Sequence, residues 1–300
     1  MNTSPLISAT ELKTQLAAKR PLRIFDCSFD LADPHAGHRQ YFASHIPGAV
    51  YADLDRDLSA RHGVAGNHGV LTACGADAPA SGGRHPLPNR EKFAIWLSQI
   101  GLANDMQAVV YDRNNNNFCG RLWWMLKWAG HARVAVLDGG LGCWLAAGGD
   151  VNSGEEPAHF QSGFKLGEAL VTLVDAETVR GRLGHPAQTL IDARAPARFR
   201  GEIEPLDPVA GHIPGAINRP FAANFDDDGR FKSPGQLKAE FESLLEGRHA
   251  ASVVHQCGSG VSALPNLIAM EIAGLTVGSA LYAGSWSDWC SDPDRPVAQG

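Results

Sequence analysis

The chain has 300 residues, 44% of them hydrophobic and 19% charged, with a formal net charge of −6. This is the balance of a soluble globular protein long enough for two ordinary domains, and it excludes a disordered or fibrous chain. The acidic balance leaves no basic stripe to neutralise phosphates, so a nucleic-acid partner is not expected.

In chain order, Ser8-Ala9-Thr10-Glu11 forms a capping box that opens a helix through Leu16, ahead of a strand at 22–25. Continuous apolar runs at 108–111 and 133–137 suit strands buried on both faces, with a helix at 120–129 between them. The most apolar stretch, 134–147, is interrupted by Asp138 and by Gly139, Gly140 and Gly142, so no membrane span is expected. Past a polar, Gly-rich segment at 148–167 the pattern restarts. Asp175 caps a helix, strands follow at 189–191, 252–255 and 280–282, and a helix occupies 262–273. Alternation of this kind predicts parallel sheets covered by helices.

The restart is an internal repeat. His45-Ile46-Pro47-Gly48-Ala49 returns as His212-Ile213-Pro214-Gly215-Ala216, an offset of 167. Val109-Val110 answers Val253-Val254 at an offset of 144, and Gly139 and Trp144 answer Gly284 and Trp289 at 145. The first half therefore carries about 22 extra residues, which fall between Asp55 and Pro88. A period this long is a duplicated domain. The predicted organisation is an α/β domain over 1–147, a linker over 148–167 and a second α/β domain over 168–300.

Six cysteines, at 27, 74, 119, 143, 257 and 290, are too sparse for a disulfide scaffold and form no CxxC pair. No cofactor or metal site is expected. His35, His38 and His45 lack the usual ligand arrangement, and Trp123, Trp124 and Trp128 at helical spacing suit a core. Cys119 and Cys143 are expected to be small buried residues. The N-terminus lacks the basic flank and apolar core of a signal peptide, so the expected setting is the reducing cytoplasm.

Chemistry is expected at the carboxyl ends of the strands. There Val253-Val254-His255-Gln256 runs into Cys257-Gly258-Ser259-Gly260-Val261-Ser262 before a helix. The two glycines let successive N–H groups converge, and the helix start adds its positive end. An anionic sulfur in such a cup is stabilised, which makes Cys257 a nucleophile able to carry a persulfide. A cysteine phosphatase would need Arg six positions after the Cys; position 263 is Ala.

The loop Cys257-Gly258-Ser259-Gly260-Val261-Ser262-Ala263 resembles the active loop of the tandem rhodanese family, in its 3-mercaptopyruvate sulfurtransferase branch, with Ser262 where Thr is usual. The paired His-Ile-Pro-Gly-Ala boxes and the closing Leu281-Tyr282-Ala283-Gly284-Ser285-Trp286 extend the likeness over most of the chain. By that resemblance the fold is two rhodanese-like domains, each a mostly parallel sheet flanked by helices. The second is catalytic; the first, with Arg113 aligned to Cys257, carries no sulfur. The resemblance further implies that Ser259 works on the departing enolate with His85 and Asp55, both contributed by the first domain. Arg198 would bind the donor carboxylate, and Gly258, Gly260, Val261 and Ser262 would wrap the transferred group. The family's second substrate Arg, nine positions after the first, is Asp207 here, with Arg200 or Arg84 as candidate substitutes. The implied reaction is sulfane-sulfur transfer from 3-mercaptopyruvate through Cys257 to an acceptor: thioredoxin, a low-molecular-weight thiol or cyanide. Thiosulfate as donor, or a binding module without turnover, are the alternatives.

Overall fold

A computed structural model describes residues 4–60, 78–275 and 278–300. Cys74 and most of the extra segment of the first half lie outside these residues. Two compact units result: one from Met1–Ser59, Arg90–Leu170 and Phe225–Phe231, the other from Ala60–Asn89, Val171–Asn224 and Lys232–Gly300.

The strands of the first unit are β1 (Leu6–Ile7), β2 (Leu22–Asp26), β3 (Ala49–Tyr51), β4 (Gln107–Tyr111) and β5 (Val134–Leu137); those of the second are β6 (Thr172–Val174), β7 (Thr189–Asp192), β8 (Ile217–Asn218), β9 (Val253–Gln256) and β10 (Ala280–Tyr282). The sheet orders are β1-β5-β4-β2-β3 and β6-β10-β9-β7-β8, the same topology twice, and every pairing within them is parallel. Both units are therefore α/β, with helices following the strands. Among the described residues, no helix is long and apolar enough to cross a membrane.

Local signals set the elements. Ser8 accepts the N–H of Glu11 while the Glu11 carboxylate accepts that of Ser8, and the helix runs Ala9–Ala17. Asp175 accepts the N–H of Thr178 at 2.8 Å to start the helix Ala176–Gly181. The central strands β4 and β9 are almost wholly buried, which explains their apolar runs. Trp123 and Trp124 have no exposure and sit in the buried helix Cys119–Trp128.

The repeated His-Ile-Pro-Gly-Ala box does the same mechanical work in each copy. The ring of His45 stacks on Tyr41 at 4.1 Å and its Nδ1 meets the Tyr41 carbonyl oxygen at 2.8 Å. His212 repeats this on Phe199, at 3.9 Å and 2.8 Å. Each histidine also forms an antiparallel bridge to the chain returning after its unit's last strand, at Asn152 and Ala298 respectively. His45 Nε2 lies 3.1 Å from Glu156. The described residues hold no metal-ligating group of three or more. One expectation fails: Cys143 is half-buried, and Nε of Arg230 lies 3.3 Å from its sulfur.

Candidate active site

Parallel pairing of β10, β9 and β7 brings three loops to one edge of the second sheet. The loop after β9 carries Cys257, the loop after β7 carries Arg194 and Arg198, and the turn after β10 carries Ser285 to Asp288. The segment containing His85 belongs to this same unit.

The β9 loop is fixed by the turn beside it. The backbone N–H of Cys257 donates to the hydroxyl of Ser285 at 3.1 Å, and that hydroxyl donates to the Tyr282 carbonyl at 3.0 Å. Trp286 and Ser287 donate their N–H groups to the carbonyls of Cys257 and Gly258 at 3.0 and 2.9 Å. Gly260 has φ +74, and a Cβ there would meet the Ala283 carbonyl oxygen at 2.2 Å, so the second loop glycine is required twice over. The helix after the loop starts at Leu264, slightly later than expected. Cys257 is 1% exposed at the bottom of this arrangement.

Three other thiols are held in the protonated form. Burial pushes Cys27 and Cys119 well above the usual thiol range, and nearby carboxylates push them further. Burial also raises Cys290 to about 11, with Asp207 adding to it.

Ser259, two residues past Cys257, places its Oγ 2.7 Å from Nδ1 of His85. Both are buried. The His85 strand of chain is clamped onto the turn after β10: the Arg84 N–H donates to Ser287 Oγ at 2.9 Å, and a Cβ on Gly83 (φ +87) would meet the Gly284 carbonyl oxygen at 2.4 Å. Of the expected trio, Ser259 and His85 thus come together. Asp55 belongs to the first unit, where its backbone N–H donates to Asp53 at 2.9 Å.

Arg198 lies in the short helix Pro196–Phe199 and pairs with Glu204 at 2.6 Å and Asp207 at 3.3 Å. Arg84 pairs with the other oxygen of Asp207 at 2.5 Å. Both guanidiniums face the bare side of Gly258: a Cβ there would lie 3.3 Å from Nη2 of Arg84 and 3.5 Å from Nη1 of Arg198. Burial raises the Asp207 carboxyl while Arg84 pulls it down. Arg200 is surface-exposed and paired with Glu202 at 2.7 Å, away from this cluster's contacts. Arg194 is spent on Asp192, at 2.7 Å, on the Gly211 carbonyl and on the face of Trp286, which braces the β7 loop. Sequence reasoning missed Ser285, Ser287, Glu204 and the partner of Asp207. Only Ser285, within the recognised closing motif, had a local signal.

The first unit shows what such a loop does when it is full. Asp112, at the end of β4 where β9 has Gln256, accepts the N–H groups of Asn114, Asn116, Phe118 and Cys119 at 2.7 to 2.9 Å. Asn115 and Asn116 take positive φ to allow it, as expected of an Asn turn.

Residues 8–147 and 175–292 each match the rhodanese-like domain. A Pseudomonas aeruginosa protein provisionally named 3-mercaptopyruvate sulfurtransferase is 45% identical over 307 aligned residues, covering 100% of both chains. A Mycobacterium tuberculosis protein provisionally named thiosulfate sulfurtransferase is 39% identical, covering 98% of this chain and 97% of its own. Among solved structures, a 3-mercaptopyruvate sulfurtransferase from Leishmania major superposes with a TM-score of 0.78 at 28% identity, over 99% of this chain and 76% of that one.

Proposed function

This chain belongs to the rhodanese family of sulfurtransferases, and we propose that it moves a sulfane sulfur from 3-mercaptopyruvate, through a persulfide on Cys257, to a thiol or cyanide. The observation that carries this reading is the 2.7 Å approach of His85 Nδ1 to Ser259 Oγ, two residues past Cys257. A donor whose C–S bond must break needs such a pair. A donor that releases sulfite does not.

In the proposed first step the Cys257 thiolate attacks the thiol sulfur of the donor. The S–S bond forms as the C–S bond breaks, and that electron pair becomes the enolate of pyruvate. Ser259 and His85 polarise the ketone oxygen and relay the proton that neutralises the enolate. In the second step an acceptor thiolate attacks the outer sulfur, forming its own persulfide and returning Cys257 as thiolate. The loop residues Gly258, Gly260, Val261 and Ser262 are proposed to line the path of the persulfide, whose negative charge suits backbone N–H groups. Arg198 is proposed to bind the donor carboxylate, since a guanidinium matches a carboxylate in two parallel bonds. The role of Asp55 as third member of the trio is proposed from the family resemblance alone. Proposed acceptors are thioredoxin, a low-molecular-weight thiol or cyanide, and the proposed compartment is the cytoplasm.

Thiosulfate is the second reading. It draws on Asp207 standing where the family has a second substrate Arg, and on the name of the M. tuberculosis relative. Against it, Gly258 and Ser259 put no cation in the loop itself. Steady-state turnover of the purified protein with each donor decides. A higher kcat/KM for mercaptopyruvate is expected, and a preference for thiosulfate would overturn the first reading.

A further inference from the structure

Asp207 looks at first like a defect, a negative charge where a substrate-binding cation belongs. Its surroundings say otherwise. It is buried, and each of its two oxygens holds a different guanidinium: Oδ1 takes Arg84 and Oδ2 takes Arg198. Glu204, equally buried, holds Arg198 from a second side through Nε and Nη2. This leaves Nη1 of Arg198 turned toward Gly258, alongside Nη2 of Arg84. Gly258 directly follows Cys257, so both groups lie beside the residue next to the sulfur.

Three buried carboxylates (Asp192, Glu204 and Asp207) and three guanidiniums (Arg84, Arg194 and Arg198) make a connected cluster with no net formal charge. Such a cluster offers directed N–H groups without a strong cationic field. It suits one planar carboxylate better than a compact inorganic dianion. Arg84 is also anchored through its own backbone N–H to Ser287, so its guanidinium starts from a fixed point.

We propose that Arg84 and Arg198 together bind the carboxylate of the sulfur donor and that Asp207 is the positioning residue that sets the two guanidiniums side by side. The cation that the family resemblance places at position 207 is thus supplied by position 84. This inference rests on the mercaptopyruvate reading above and adds to it a donor-binding residue outside the expected set.

The test is kinetic, on the full chain, with mercaptopyruvate as donor and pyruvate as a competitive inhibitor that carries the carboxylate but no transferable sulfur. Arg84→Gln, which keeps the side chain's length, should raise the KM about 10- to 100-fold, the span of a lost charge-assisted contact, and lower kcat much less. Weakening of pyruvate inhibition by a similar factor is expected. Arg84→Asp and Asp207→Arg should each be poor, and the double exchange should regain most of the lost affinity. Recovery on exchange separates positioning from a general loss of fold, which a second substitution would not repair. An unchanged KM in Arg84→Gln, or a double exchange no better than Arg84→Asp, overturns the inference. Absence of mercaptopyruvate turnover in the unaltered protein would instead overturn the donor reading, so the two failures are distinct.

Discussion

His85→Ala offers the most discriminating perturbation, because it separates the two donors on one protein. The His85–Ser259 contact is a buried hydrogen bond of 2.7 Å. Removing the imidazole strips the buried Ser259 hydroxyl of this partner, at about 1–3 kcal/mol, so the melting temperature of the variant is measured alongside its activity. Its catalytic cost should be far larger. Acid–base assistance by a positioned side chain is worth about 10²- to 10⁴-fold, or roughly 3–5 kcal/mol in the barrier. That cost applies only where an enolate forms. Mercaptopyruvate turnover, followed by pyruvate release, should fall by that factor, while thiosulfate turnover, followed by sulfite, should fall less than about tenfold. Ser259→Ala should show the same selectivity. The double variant should be little worse than either single one, since both residues act on the same proton. Single-turnover persulfide formation on Cys257, read by intact mass, places the defect in the first half-reaction. Equal losses with both donors would refute the reasoning and leave His85 as a clamp for its chain segment.

Cys257→Ser should abolish transfer from either donor with an unchanged melting temperature, since a hydroxyl forms no persulfide; residual sulfur on Cys143 by peptide mass spectrometry would contradict this. Gly260→Ala should be severely impaired: the φ of +74 and the 2.2 Å approach to the Ala283 carbonyl force the loop to shift, costing at least about 1–3 kcal/mol of stability in a denaturant titration. Burial holds the His255 imidazole down to about 3, so the unfolded chain takes up a proton below about pH 6.5 that the folded chain refuses. Stability should therefore fall with pH through that window, by about 2 kcal/mol at pH 5, and His255→Asn should flatten the slope of melting temperature between pH 7 and 5.

How legible this protein is from its sequence depends on the range of the interaction. Ser8 and Asp175 announce helices because caps act within three residues, and β4 and β9 announce themselves because a strand buried on both faces must be apolar. The Cys257 loop stands out in the sequence because its cysteine and glycines are contiguous with the strand before and the helix after them. His85 was found only through the resemblance, since nothing near it in the chain hints at Ser259. The pairing of Arg84 with Asp207 spans 123 positions, and no local pattern marks it. Without it, Asp207 could only be registered as a departure. Cys143 was misjudged for the same reason: its neighbours are apolar, but its sulfur meets the polar Arg230, far along the chain.

The two copies differ in a way that suits the second to the proposed chemistry. A parallel strand that turns directly into a helix leaves several N–H groups at the turn, and a buried turn needs acceptors for them, a place well suited to an anion. The first unit supplies one from its own chain, since the Asp112 carboxylate takes four of those N–H groups. Arg113, where the other copy has Cys257, is drawn out of the turn to Asp26 at 2.8 Å. The cradle there is filled and closed. In the second unit the strand ends on neutral Gln256, and among the described residues no side chain accepts the N–H groups of Gly258, Ser259, Val261 or Ser262. An anionic sulfur one residue further on can then take the place that Asp112 holds in the first copy. On this account two adjacent positions, Asp-Arg against Gln-Cys, separate a turn satisfied by its own carboxylate from one proposed to hold the sulfur of Cys257.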